Sequence, residues 1–281
     1  MRKSILIALL ALLILPSATW AIRAIPENNL AYPALITIDN GVQGSGFFIN
    51  NGKRFYFVTA KHVLQNELGK RHGNIATILC YPPELFSKGK IILEIDLSIQ
   101  SAQNNIKVHP THDVAVVEIG LVSPKDNDYS ISVYHGIRIK QMVGSGIMSL
   151  HIHSVTLFDN VLISNQVYVF GYPNSIGIRN IPQIDYDVPL LRTGIIAGIN
   201  RKSGYIILDC PIYQGNSGGP VVQVEQTEIG KHIFTVIGVI SQFVPFTEIW
   251  ENKTNRYSNI NISNSGYAVV TPIDKVLELI K

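Results

Sequence analysis

The sequence predicts an all-β protein that ends in one helix, and three observations carry that prediction. Short runs rich in β-branched and aromatic residues recur along the chain, separated by clusters of Gly, Asn, Pro and Asp. Helix-period patterning is scarce before residue 272. Of the 281 residues, 46% are hydrophobic and 15% charged, so the chain can bury a substantial core and is not a disordered protein.

The first segment reads as an address. Arg2 and Lys3 precede an apolar run from Ile5 to Leu15, followed by Pro16 and the small-residue pattern Thr19-Trp20-Ala21, which places cleavage after Ala21. The run is too short to span a bilayer comfortably, so membrane contact is expected only during export. Residues 1–21 are thus a signal peptide and 22–281 the mature chain, periplasmic or secreted.

Strand candidates follow at 34–38, 44–49, 54–59, 75–80, 91–95, 114–119, 166–170, 193–199, 205–208, 221–224, 234–241 and 266–270. Asn50-Asn51-Gly52, between the second and third, is a hairpin signal, because Asn and Gly accept the positive φ of tight turns. Residues 61–68 read as a helical turn after a strand. Residues 125–163 are strand-poor at their start and carry Gly144-Ser145-Gly146, which makes them the expected connection between two halves. Pro272 suits a first helical turn, and Ile273, Val276, Leu277 and Ile280 then share one face, so the closing helix is expected to pack across the domain.

A net charge of +3, with no Lys/Arg run longer than two, calls for no nucleic-acid partner. Cys80 and Cys210 fall in different halves and are expected as unpaired, small apolar residues. His151-x-His153 has no evident third ligand, so neither a metal nor another cofactor is expected. Asn252-Lys253-Thr254 and Asn261-Ile262-Ser263 match glycosylation sequons, which matter only in a eukaryotic host.

Three segments can carry chemistry. Gly215-Asn216-Ser217-Gly218-Gly219-Pro220 sets a serine among glycines, where the backbone can turn tightly and a substrate carbonyl can approach main-chain N–H groups. A serine is a weak nucleophile without a base and an orienting carboxylate. His62 follows the apolar strand 54–59, and Asp113 opens the strand 114–119. Taken alone, His62 is an ordinary histidine and Asp113 a turn residue; together, Asp113 can accept the His62 Nδ1–H and leave Nε2 free for the serine proton. His112 falls on the opposite face from Asp113 and reads as structural.

Thr-Ala-x-His, Asp-Val-Ala-Val-Val and Gly-Asn-Ser-Gly-Gly-Pro, in that order, resemble the chymotrypsin-like (trypsin-like) serine peptidases over nearly the whole mature chain. The resemblance is closer to HtrA/Deg-type catalytic domains, through Tyr205 to Gln214 ahead of the serine and the segments beginning at Thr193, Ile237 and Gly266. It implies two antiparallel six-stranded β-barrels, at about 31–140 and 160–271, with the terminal helix at 272–281; the PDZ domains that trail in that group are an expected departure here. It implies a serine endopeptidase acting on proteins or peptides through His62, Asp113 and Ser217, with the Gly215 and Ser217 N–H groups as the oxyanion hole. A non-catalytic binding module on the same fold and a serine esterase are the alternatives. Oligomeric state is not legible. Primary-pocket positions match Pro211, Ile212, Tyr213, Ser241, Gln242 and Phe243, all uncharged, which favours a small or medium apolar side chain. Asn216 stands where digestive relatives carry an aspartate that pairs with a new N-terminus, so activation by such an ion pair is not expected.

Overall fold

A computed structural model describes residues 25–125, 128–174, 181–228, 231–252, 254 and 257–280. The expected signal peptide lies outside the described residues.

The first half forms one curled sheet from β1 (Pro33–Ile38), β2 (Gln43–Asn50), β3 (Arg54–Thr59), β4 (Ile75–Cys80), β5 (Ile91–Asp96), β6 (Ile106–Val108), β7 (Ala115–Lys125), β8 (Asp128–Val133), β9 (Ile137–Gln141) and β10 (Leu150–His151). The order is β6-β7-β3-β2-β1-β4-β5-β9, with β8 on β7 and the two-residue β10 parallel to β2. The second half is a closed barrel, β11-β12-β13-β16-β15-β14, built from β11 (Gln166–Gly171), β12 (Leu190–Asn200), β13 (Tyr205–Asp209), β14 (Pro220–Glu228), β15 (Lys231–Asn252) and β16 (Tyr257–Pro272). Three short helices are α1 (Lys61–Leu64), α2 (Leu97–Ala102) and α3 (Ile273–Leu279).

The runs Phe47–Ile49 of β2 and Phe55–Val58 of β3 are continuously apolar because both faces of the sheet are covered there. On β3, Phe55 and Phe57 point into the first core, with Phe48 of β2 and Ala115, Val117 and Ile119 of β7. The alternate residues, Tyr56 and Val58, with Phe47, Ile49, Val114 and Val116, face the second barrel, where Val236, Val239, the α3 residues Ile273 and Val276, and Ile280 just past the helix meet them. Helix α3 therefore packs across both halves. The second barrel has its own core around Val167, Ile196, Leu208, Val221 and Ile240. Cys80 lies in the first core and Cys210 in the second, both buried and free.

The first sheet carries ten strands where six were expected. Strands β6 and β9 bury little, β9 having one buried residue in five, and β10 is a single short bridge, so periodicity could not reveal them. The segment 125–163 is accordingly not a plain connection: it holds β8, β9 and β10, and the crossing to the second barrel follows β10. The helical turn at 61–68 stops at Leu64, because Asn66 Oδ1 takes the N–H groups of Leu68 and Lys70 into a loop. Helix α2 is capped by Asp96, whose carboxylate accepts from the Ser98 and Ile99 N–H groups.

Candidate active site

Thr59 ends β3, and α1 begins two residues later. Val63 and Leu64 are buried in the first core, which turns His62 outward with a half-exposed side chain. Asp113 precedes β7 and is held next to buried Val114. Its carboxylate grips His62 twice. Oδ2 lies 2.7 Å from His62 Nδ1, and Oδ1 accepts the His62 backbone N–H at 3.0 Å. With the ring nitrogen next to a carboxylate acting as donor, Nε2 is left as the acceptor nitrogen.

The preceding residue turns the other way. His112 is buried, its Nε2 lies 3.3 Å from the Gly204 carbonyl, and its ring contacts Tyr205 at 4.8 Å. Burial first, then the charges of His109 and Lys275, lower its pKa. His112 is thus a structural tie between the Asp113 loop and the second barrel. The His151 and His153 rings lie 4.8 Å apart, tilted by 44°, and no group of three potential metal ligands occurs among the described residues.

Ser217 sits on the loop between β13 and β14, which presses against the end of β2. Gly215 (φ 93°) and Gly218 (φ 92°) both occupy left-handed backbone. A Cβ on Gly215 would fall 2.3 Å from the Tyr172 carbonyl oxygen, and one on Gly218 would fall 2.0 Å from that of Ser45. These two glycines therefore serve the close approach of neighbouring backbone, where the sequence suggested the approach of substrate. Buried Asn216 closes the loop on itself: its Oδ1 accepts the Tyr213 N–H at 3.1 Å, and its own N–H donates to the Tyr213 carbonyl at 3.0 Å.

The Gly215 and Ser217 N–H groups of this loop are open among the described hydrogen bonds. The Gln214 carbonyl accepts from Asn174 N–H at 3.0 Å and the Asn216 carbonyl from Gly219 N–H at 2.9 Å. Every described peptide bond is trans, so the Gly215 and Ser217 N–H groups point opposite to those anchored carbonyls. Among the described hydrogen bonds neither has a protein acceptor.

His62, Asp113 and Ser217 line one open cleft of about 830 Å³ between the two halves. Ser217 Oγ donates to the Ser241 carbonyl at 3.4 Å, a long bond, and no described hydrogen bond joins it to His62. Of the pocket positions inferred from sequence, Ile212, Tyr213, Ser241, Gln242 and Phe243 line this cleft. Pro211 does not. It is exposed, because buried Ile212 takes the inward place on an extended segment. The Ser241 hydroxyl also turns away, meeting Thr271 Oγ1 at 2.6 Å in the interior. Sequence reasoning missed the opposite wall, made by the loop Gln65 to Gly69, and missed Arg192, whose guanidinium lies 4.6 Å from the Tyr213 ring centre. A half-buried arginine on a strand carries no local signal of that contact.

The family model of the trypsin-like peptidase domain matches residues 44–230, more than half of the chain and all three of these side chains. The chain belongs to this family. Solved structures similar to this chain include Deg5, at 16% identity and a TM-score of 0.48, covering 91% of this chain and 95% of that one. They also include the HtrA-type protease AlgW with tripeptide, at 17% identity and a TM-score of 0.45, covering 91% of this chain and 62% of that one. A variant of AlgW with tripeptide is similar at 16% identity and a TM-score of 0.44, covering 89% of this chain and 58% of that one. The chain therefore spans less than two thirds of the AlgW chains. No curated protein matches it.

Proposed function

We propose that this peptidase is an exported serine endopeptidase that works through an acyl-enzyme. The observation that carries the reading is the double grip of Asp113 on His62 in the same cleft as Ser217. Ser217 Oγ attacks the scissile carbonyl while His62 Nε2 takes its proton, and Asp113 holds the ring in the required tautomer and stabilises the imidazolium. The long Ser217–Ser241 contact is weak enough to be exchanged for one to Nε2 when substrate enters. The open N–H groups of Gly215 and Ser217 receive the oxyanion; such a donor contributes about 3 to 4 kcal/mol to barrier lowering. His62 then protonates the leaving amine, and water, deprotonated by the same ring, hydrolyses the acyl-enzyme.

Uncharged Ile212, Tyr213 and Phe243 on the second-barrel wall favour a small or medium apolar side chain at the cleavage site. The amino-terminal apolar run supports export, with a mature chain starting at Ile22.

The decisive experiment treats the purified mature protein with a fluorophosphonate and with casein. Labelling confined to Ser217, lost in Ser217→Ala, together with casein cleavage, is the expected result; a folded sample that neither labels nor cleaves removes the reading. Cleavage sites in a peptide library test the apolar preference.

A further inference from the structure

Glycine 215 poses a physical problem for the site. Its φ of 93° is open to glycine, but the same freedom lets the peptides on either side of it rotate, so nothing intrinsic to the residue keeps its N–H aimed at the cleft. Asn216 is neutral and is engaged with Tyr213, so no ion pair holds the loop from behind. The peptide that carries this N–H is anchored on one side, through the Gln214 carbonyl, by the Asn174 N–H; the peptide on the other side of Gly215 is anchored from the first sheet, by one residue that also holds the Ser217 carbonyl. Ser45, on β2, is fully buried. Its Oγ donates to the Gly215 carbonyl at 2.6 Å and accepts the Tyr172 N–H at 2.9 Å. Its backbone N–H donates to the Ser217 carbonyl at 2.8 Å, and its own carbonyl is held by Thr59 Oγ1 at 2.7 Å.

The hydroxyl has one proton, and it is committed to Gly215; a lone pair is committed to Tyr172, so the group cannot rotate without leaving two buried backbone groups unpaired. The carbonyls of Gly215 and Ser217 are thus both gripped by Ser45, and these are the two residues whose N–H groups stand open. Gly171 allows the approach: a Cβ there would lie 2.8 Å from Ser45 Oγ.

We propose that Ser45 is a positioning residue for the oxyanion site, its side-chain hydroxyl locking the Gly215–Asn216 peptide, which adjoins the one carrying the Gly215 N–H, from across the two sheets in the place of a charged anchor. This rests on Ser217 being the nucleophile. The lock serves the transition state more than the bound substrate, because substrate contacts elsewhere in the cleft do not depend on where the Gly215 N–H points.

The test compares Ser45→Ala, Ser45→Val and Ser45→Thr with the parent protein, using steady-state cleavage of a chromogenic peptide, inhibition by a peptide boronate and near-ultraviolet circular dichroism. Val and Thr have the same shape, so the hydroxyl alone separates them. Ser45→Ala and Ser45→Val are expected to lower kcat by roughly 10- to 100-fold with KM within about twofold, less than the full loss of an oxyanion donor. Boronate affinity should fall in step with kcat/KM, and Ser45→Thr should recover most of both. Folded Ala or Val variants with parental kcat overturn the proposal, as does a loss seen only in KM. A parent protein that fails to react with a fluorophosphonate instead overturns the nucleophile assignment, which keeps the two failures apart. Should the variants not fold, a crystal structure of the parent with the boronate decides. Gly215 O still bonded to Ser45 Oγ, with the boronate oxygen on the Gly215 and Ser217 N–H groups, supports the lock; a Gly215 carbonyl turned away from Ser45 overturns it.

Discussion

His62 and Asp113 meet through two direct bonds at a partly exposed cleft wall, within one sheet, whereas Ser217 stands on a loop of buried glycine and asparagine whose anchors reach into the other half of the molecule. The first arrangement is a pair of side chains placed by one strand end and one short helix. The second is a piece of backbone placed by packing. A pair can be cut by changing one atom, with the fold intact. Backbone direction can be altered only through whatever it leans on, here β2 and the residues following β11.

That contrast orders the expected effects. Ser217→Ala removes the nucleophile and should lower kcat by about a millionfold while leaving the melting temperature almost unchanged, measured by peptide turnover and calorimetry. Asp113→Asn keeps the shape of the His62 contact but favours the wrong ring tautomer, and kcat should fall about ten-thousandfold. A much smaller loss there would mean that the His62 backbone N–H bond, not the ring bond, is what Asp113 is for. Phe57→Ala empties a fully buried site in the first core, close behind the end of β3, and should cost about 3 to 5 kcal/mol in denaturant unfolding. Residual activity in the folded fraction should be near normal, since Phe57 does not line the cleft. The smallest effect concerns the cores themselves. Burial pushes the Cys80 thiol up to about 12 and, as the larger cause, the Cys210 thiol up to about 11. A raised thiol pKa keeps the unreactive protonated form at pH 8, so neither should react with a disulfide reagent until the protein is unfolded. Rapid native labelling of one cysteine would mark its half as the looser one.

All twelve strand candidates fall on observed strands, because each buries enough side chains to print a β-branched or aromatic run. What escaped was short or exposed. Strand β9 shows mostly polar residues to solvent, and β10 is two residues long. The outer arms of β15 and β16 also escaped. They continue as a two-stranded hairpin out to Asn252 and Tyr257, where Ile249, Trp250 and Ile260 are exposed and no core imposes alternation. The candidate site divides the same way. The loop with Ser217 and the segments with His62 and Asp113 were legible because their residue types are unusual in their settings. Ser45 was not, since a serine between glycines in a strand looks like any other until β11 and the Gly215 loop are brought against it.

The sequence by itself determined the all-β class, the closing helix and the three residue types that could form a nucleophile, a base and an orienting acid. These are properties of local pattern and intrinsic chemistry, written residue by residue. Only the tertiary structure decided that Asp113 takes both the ring and the backbone of His62, that Pro211 faces away while Ile212 faces in, and that the Gly215 carbonyl meets a hydroxyl 170 residues earlier in the chain. Hydrogen-bond direction depends on distances of a few tenths of an ångström between segments remote in sequence, and those exist only once the two halves have packed.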